Sequence, residues 1–269
     1  MHTKKGATWR LFLCLLYFLA SFFSPATSLA DTECSSDAYD EQASIRYIHD
    51  GDTLHLSDGR KIRLIGINTP ELARDDRAAE PFALQAKNAL QALFKTDRSV
   101  SLLFGKDRKD DYGRLLAHAF LNQGENVQAT LLKQGYASAI SIPPNTRFAS
   151  CYLKMERIAR CNKAGLWQNA SIIQAKDLSS QDIGFHLVQG VIKTIDVNDT
   201  GIWLNLEDKL TVGIRPDNHS LFDIESIKAM LNQSIIVRGW LNTSKYENPF
   251  YLRVRHPLSI QLSSKFSCS

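Results

Sequence analysis

The sequence carries no low-complexity tract and no short-period repeat, which excludes solenoids and fibrous arrays, since both need a recurring unit. Long apolar runs are missing too. The run from Leu11 to Phe23 falls short of the roughly 20 apolar residues that cross a bilayer. Histidine is sparse, and His49, His55 and His118 have no ligand spacing among them, so they read as structural or surface residues. A dominant charge of one sign is absent as well. The formal net charge of +4 includes Lys4, Lys5 and Arg10, and without them overall basicity says little about partners.

What is present begins with those three bases. They precede the apolar run, and Ser28-Leu29-Ala30 follows it with a small-x-small pattern, the marks of a secretory leader. Residues 1–30 are therefore expected to be a signal peptide cleaved after Ala30. That places the mature chain in a secreted or periplasmic setting, with no stable membrane insertion. Four cysteines remain: Cys34, Cys151, Cys161 and Cys268. An even count in an oxidising compartment suggests disulfides. If residues 146–163 form one helix, Cys151 and Cys161 lie roughly 15 Å apart along it, beyond the ~7 Å Cα separation a disulfide allows. Cys34 and Cys268 are then the available partners, with the connectivity open.

Charge is unevenly spread. Residues 31–45 hold five acids and no base, 46–168 hold nineteen bases against thirteen acids, and 169–269 hold ten of each. Only the middle segment is basic, as expected of a surface that meets a polyanion. Its β-rich runs, Ile45–Ile48, Thr53–Leu56 and Lys61–Ile67, are punctuated by the Ser57-Asp58-Gly59-Arg60 turn and read as a meander. Pro81 opens a helical stretch; strands return at Val100–Phe104 and Leu115–Leu121. A second helix capped by Asn126 stops at Gly135, and a third spans about 146–163 with Phe148, Tyr152, Met155 and Ala159 on one face. A five-stranded set with helices fits a small OB-like barrel.

Residues 169–184, rich in Ser, Gln and Asp, read as a linker. Beyond it Val188–Asp196, Gly201–Leu206, Leu210–Ile214, a helix-like Leu221–Leu231, Ser234–Leu241 and Phe250–Val254 suggest a second OB-like barrel with its helix between the third and fourth strands. The fold class is thus α+β, mainly β, divided into an N-terminal segment 31–43, a domain 44–168, the linker, and a C-terminal β domain 185–262.

The chemistry concentrates in three stretches: Asp50-Gly51-Asp52-Thr53, then Arg63 with Asn68-Thr69-Pro70-Glu71, then Asp111-Tyr112-Gly113-Arg114. Together they hold oxygen ligands for a hard cation, a carboxylate able to take a proton from water, and two guanidinium forks for a phosphate. Arg63 is the least ordinary of them. It interrupts the apolar run from Ile62 to Ile67, and such a strand arginine must find an anion or point outward.

Over about residues 44–168 these motifs resemble the staphylococcal nuclease (thermonuclease) family. The resemblance implies an OB-like barrel with three helices and a calcium-dependent hydrolase of DNA and/or RNA phosphodiesters, with little sequence preference and 3′-phosphate products. One Ca2+ would be held by Asp52, Asn68 and the main-chain carbonyl of Thr69, with Asp50 orienting the ligand or its water. Glu71 would be the general base, Arg63 and Arg114 the phosphate clamp, and Tyr112 part of the nucleotide pocket. Asn68 departs from the family's aspartate, so weaker metal affinity or a shifted preference is expected. Ala139–Ser141 lacks the family's tyrosines, so base stacking there does not carry over.

A reading from another class has the barrels bind single strands without cutting them, with Trp203, Trp240, Tyr246, Phe250 and Tyr251 as stacking faces. Retention of Arg63, Glu71 and Arg114 argues for catalysis, since a pure binder needs no general base. The C-terminal unit is left with nucleic acid or a protein partner as its expected occupant.

Overall fold

The computed structural model describes His2 and residues 34–75, 77–169 and 172–268. The leader expected over residues 1–30 lies outside the described residues, His2 apart. Among the described residues, no helix is long and apolar enough to cross a membrane. Residues 33–269 form one compact unit.

The first barrel opens with β1 (Glu41–Ile48), β2 (Thr53–Leu56) and β3 (Lys61–Leu64). Leu54, Leu56, Ile62 and Leu64 alternate into the core and are fully buried, while the Ser57–Arg60 turn uses Gly59 at φ 91°. β1 begins earlier than its apolar residues suggest. Glu41–Ser44 is polar by sequence, yet it pairs with Leu102–Ser99 of β5 and closes the barrel. The run expected as one strand to Ile67 breaks at Gly66. Its φ of 83° turns the chain, and a Cβ there would lie 2.6 Å from the Tyr152 ring.

The short β4 (Ile67–Asn68) follows, then α1 (Ala83–Leu93), β5 (Ser99–Lys109) and β6 (Leu115–Phe120). Phe82, expected within the helix, precedes it at φ 69°. Strand order is β1-β2-β3-β6-β5, closed, with β3 and β6 parallel. Asn126 caps α2 (Val127–Lys133) by accepting from the Ala129 N–H at 3.0 Å, and Gly135 stops it at φ 79°. β7 (Ser138–Ala139) pairs with β4, and α3 (Ala149–Cys161) buries Tyr152, Met155 and Ala159.

The 169–184 stretch contributes β8 (Ile173–Gln174) and buries Ala175 and Leu178. The second barrel comprises β9 (Gly184–Asn198), β10 (Gly201–Leu206) and β11 (Leu210–Ile214), then α4 (Ile224–Lys228), then β12 (Ser234–Thr243) and β13 (Phe250–Val254). β14 (Ile260–Leu262) and α5 (Ser263–Phe266) finish the chain. β9 pairs with β12 along its first half and β10 along its second, which closes the barrel, and β11 runs parallel to β13. The connectivity repeats that of the first barrel: a three-stranded meander, a helix, and two strands of which the last lies beside the third.

The barrels meet where α3 packs on β12. Ala159, Trp167, Leu187, Ile236 and Phe266 form an apolar cluster there. Beside it, Arg238 donates through Nη1 and Nη2 to the two Glu156 oxygens at 2.6 and 2.8 Å. Disulfides Cys34–Cys151 and Cys161–Cys268 have Cα separations of 5.7 and 5.4 Å. Each α3 cysteine pairs outward, as the helical rise between them requires.

Candidate active site

Asp52 sits at the mouth of the β1–β2 turn and is buried. Its Oδ2 accepts from the Thr69 N–H at 3.2 Å and the Thr69 hydroxyl at 3.1 Å, and Arg63 Nη2 lies 3.0 Å from it. Its Oδ1 accepts from Thr53 Oγ1 at 3.1 Å. The anion that a strand arginine needs is therefore Asp52. Asp50 Oδ1 accepts the Asp52 N–H at 3.0 Å, which turns the two carboxylates into one small region. Gly51 between them is a packing requirement. A Cβ would come 2.8 Å from Thr69 Cβ, Thr69 Oγ1 and Ala86 Cβ, so only glycine lets the turn rest on both.

Arg114 arrives from the β5–β6 hairpin. Asp110 Oδ2 accepts its Nε–H at 2.7 Å, and its Nη1 reaches Thr53 Oγ1 at 3.5 Å. Thr53 thus joins the two guanidinium groups through Asp52, a bridging part that the sequence reading did not assign. Tyr112 is 86 % exposed, with the Arg114 guanidinium 5.5 Å from its ring centroid.

Asn68 pairs with Ser138 across β4–β7, and buried Thr69 follows it. Glu71 lies at the open edge, where its N–H donates to Glu80 Oε2 at 3.0 Å. Nothing in the sequence singled out Glu80, nine residues beyond Glu71; the contact arises because the Glu80 N–H returns to the Glu71 carbonyl at 2.9 Å.

Electrostatics bind the set further. Burial raises the pKa of Asp52, Arg63 opposes that rise, and the charge of Asp50 adds to it. Glu71 is raised by partial burial and then by Asp52, Asp50 and Glu80, with Arg63 pulling it down. Four carboxylates and one guanidinium therefore act on one another, although among the described residues no three His, Cys, Asp or Glu side chains converge as metal ligands. A cation here would draw on the Asp52 carboxylate, the Asn68 amide oxygen and the Thr69 carbonyl. That is a hard, oxygen-only donor set, and a positive charge would relieve the strain that burial and Asp50 place on Asp52.

Residues 61–169 match the family model described as staphylococcal nuclease homologue. The chain is 30% identical over 137 residues to the thermonuclease of Staphylococcus intermedius, covering 50% of this chain and 80% of that protein. It is 32% identical over 129 residues to endonuclease YncB of Bacillus subtilis, covering 46% and 60%. It is 33% identical over 123 residues to the SPbeta prophage-derived endonuclease YokF of the same species, covering 44% and 41%. The second barrel lies beyond the family model's match. With Arg63 and Arg114 inside the matched region and four-fifths of the Staphylococcus intermedius thermonuclease covered at 30% identity, this chain belongs to the staphylococcal nuclease family.

Proposed function

We propose that this chain, a nuclease and so a phosphodiester hydrolase by its family, uses one calcium ion to cleave DNA and/or RNA with little sequence preference and leaves 3′-phosphate ends. The observation that carries the reading is the hydrogen-bonded run from Arg63 through Asp52 and Thr53 to Arg114, with Glu71 in the same electrostatic field.

A bound cation, held by Asp52, Asn68 and the Thr69 carbonyl, would polarise a phosphate oxygen. The chain's own residues do the rest. Glu71 takes a proton from the attacking water, and its raised pKa strengthens it as a base. The hydrogen bonds named for Arg63 and Arg114 leave guanidinium N–H donors over, and these hold the nonbridging oxygens as charge builds at phosphorus. Tyr112 borders the nucleotide beside Arg114. Two disulfides support export to an oxidising compartment.

The test is incubation of the mature protein with single- and double-stranded DNA and RNA, with calcium or a chelator, beside Glu71→Ala. We expect calcium-dependent cleavage to 3′-phosphate ends and a rate loss of about 10²–10⁴-fold in the variant. Equal cleavage by the two proteins would remove Glu71 from the mechanism.

A further inference from the structure

The outer face of the second barrel carries a row of side chains set by strand register. Phe185 on β9 lies opposite Trp240 on β12, and the next residue, Leu241, pairs with Leu252 on β13, which precedes Arg253. Arg253 pairs with Gly213 on β11, and Gly213 with Trp203 on β10. Four strand spacings of about 4.8 Å make this row ~19 Å long. Its aromatics come in two sets: Phe185 and Trp240 at 5.2 Å between ring centroids, Trp203 and Tyr251 at 6.4 Å.

Gly213 is what lets the second set lie down. A Cβ there would sit 2.7 Å from Tyr251 Cε2 and 2.8 Å from Trp203 Cζ3. Trp240 is 44% exposed, more than core packing alone would leave for so large an apolar side chain.

Arginines outnumber acids on this face, whose acids are Asp196 opposite Trp203 and Asp217 beside Arg253. Arg215 stacks 5.2 Å from the Trp203 centroid, and neither Arg215 nor Arg255 has a carboxylate partner among the described residues. Arg253 shares Asp217 at 2.6 Å, yet its Nε and the Tyr251 hydroxyl are buried without a hydrogen-bond partner. Between the barrels the face sinks into a groove of about 310 Å³, with no acid among its described lining residues.

This groove adjoins the site already described. Ser138 pairs with Asn68, and two residues on, Ile140–Ile142 line the groove. From the other side, Glu80, which binds the Glu71 N–H, acts electrostatically on His186, next in sequence to Phe185.

We propose that this face is a stacking shelf for a single nucleic-acid strand whose scissile phosphate lies at Arg63, Glu71 and Arg114, so that the second barrel holds the flanking nucleotides. The proposal rests on the nuclease reading for its register, while the chemistry of the shelf stands by itself. Flat rings interleaved with free guanidinium groups suit bases and phosphates in alternation, and base stacking on aromatics is indifferent to sequence.

The experiment uses the full mature chain and a labelled oligothymidylate of about 20 nucleotides, longer than the roughly 4–16 that one such barrel covers. Anisotropy in chelator measures binding without cleavage. We expect Trp240→Ala to weaken it about tenfold, within the range for loss of one stacked base, and Trp240→Phe to restore most of that. Arg215→Gln with Arg255→Gln, both at exposed positions, should lower the slope of log affinity against log salt by about 1.4, two phosphate contacts' worth for a single strand. In calcium, the same variants should raise KM for the oligomer about tenfold, with kcat and cleavage of a thymidine dinucleotide unchanged. Unaltered oligomer binding, salt slope and KM would overturn the shelf and leave the face to a protein partner. If the native chain binds but cuts nothing, the shelf stands and the nuclease reading falls; if it cuts and the variants match it, only the shelf falls.

Discussion

Arg238→Met should test how the two barrels are locked together. Glu156 is fully buried and Arg238 nearly so. Arg238 makes two hydrogen bonds to Glu156, at 2.6 and 2.8 Å, and a third to the Ala139 carbonyl at 2.9 Å. Removing it strands a carboxylate in the interface, a loss that typically runs to about 3–5 kcal/mol. Arg160 Nε, 3.7 Å from Glu156 Oε1, moderates this, so we expect ~3–4 kcal/mol, a large share of the roughly 5–15 kcal/mol that holds a domain folded.

Replacing both partners, as Arg238→Met with Glu156→Leu, removes the desolvated charges together. The remaining loss is then the orphaned Ala139 N–H, which donates to Glu156 Oε2 at 2.7 Å in the native fold, and the Ala139 carbonyl that accepted from Arg238, about 1–3 kcal/mol each. Guanidinium unfolding with the disulfides intact, carried round the full double-variant cycle, measures each corner. A single-variant cost below about 1 kcal/mol, or two single costs that simply add in the double variant, would refute the reasoning.

Three further outcomes follow from other contacts. His118 Nδ1 lies 2.8 Å from Tyr152 Oη, and burial holds its pKa down to about 3. The unfolded chain therefore binds the extra proton first: stability is intact above about pH 6.5 and falls by roughly 1.4 kcal/mol per unit toward pH 3, a slope that acid unfolding of His118→Gln should lack. Gly51→Ala should cost about 1–3 kcal/mol through overpacking and depress cleavage, because Thr69 must yield and with it the hold on Asp52; a variant with native activity and melting temperature would contradict the contacts. Asn68→Asp should tighten calcium binding at least about tenfold by calorimetry, since affinity follows ligand charge, and lower stability in chelator, where the new carboxylate faces Asp50 and Asp52 unrelieved.

Much of this was legible in the chain itself. Alternation placed β2, β10, β11 and β13 to the residue, because a half-buried strand writes its period directly into the sequence. Helical rise alone ruled out a Cys151–Cys161 disulfide. Arg63, flanked by aliphatics, announced that an anion had to meet it. Glu41–Ser44 escaped notice as a strand since its stability comes from ladder bonds to β5 and carries no apolar signature, and β14 and α5 are too short to show a period.

Local sequence thus determined the elements and the kinds of chemistry available, because propensity, capping and side-chain functional groups are properties of a few adjacent residues. Tertiary structure alone decided which groups meet: that Thr53 bridges Asp52 to Arg114, that Glu80 sits on Glu71, that Glu156 finds Arg238 across 82 residues, and that a row of aromatics and arginines crosses five strands. Those encounters depend on barrel closure and strand register, which are set by the burial of the whole core and are written in no single stretch of the chain.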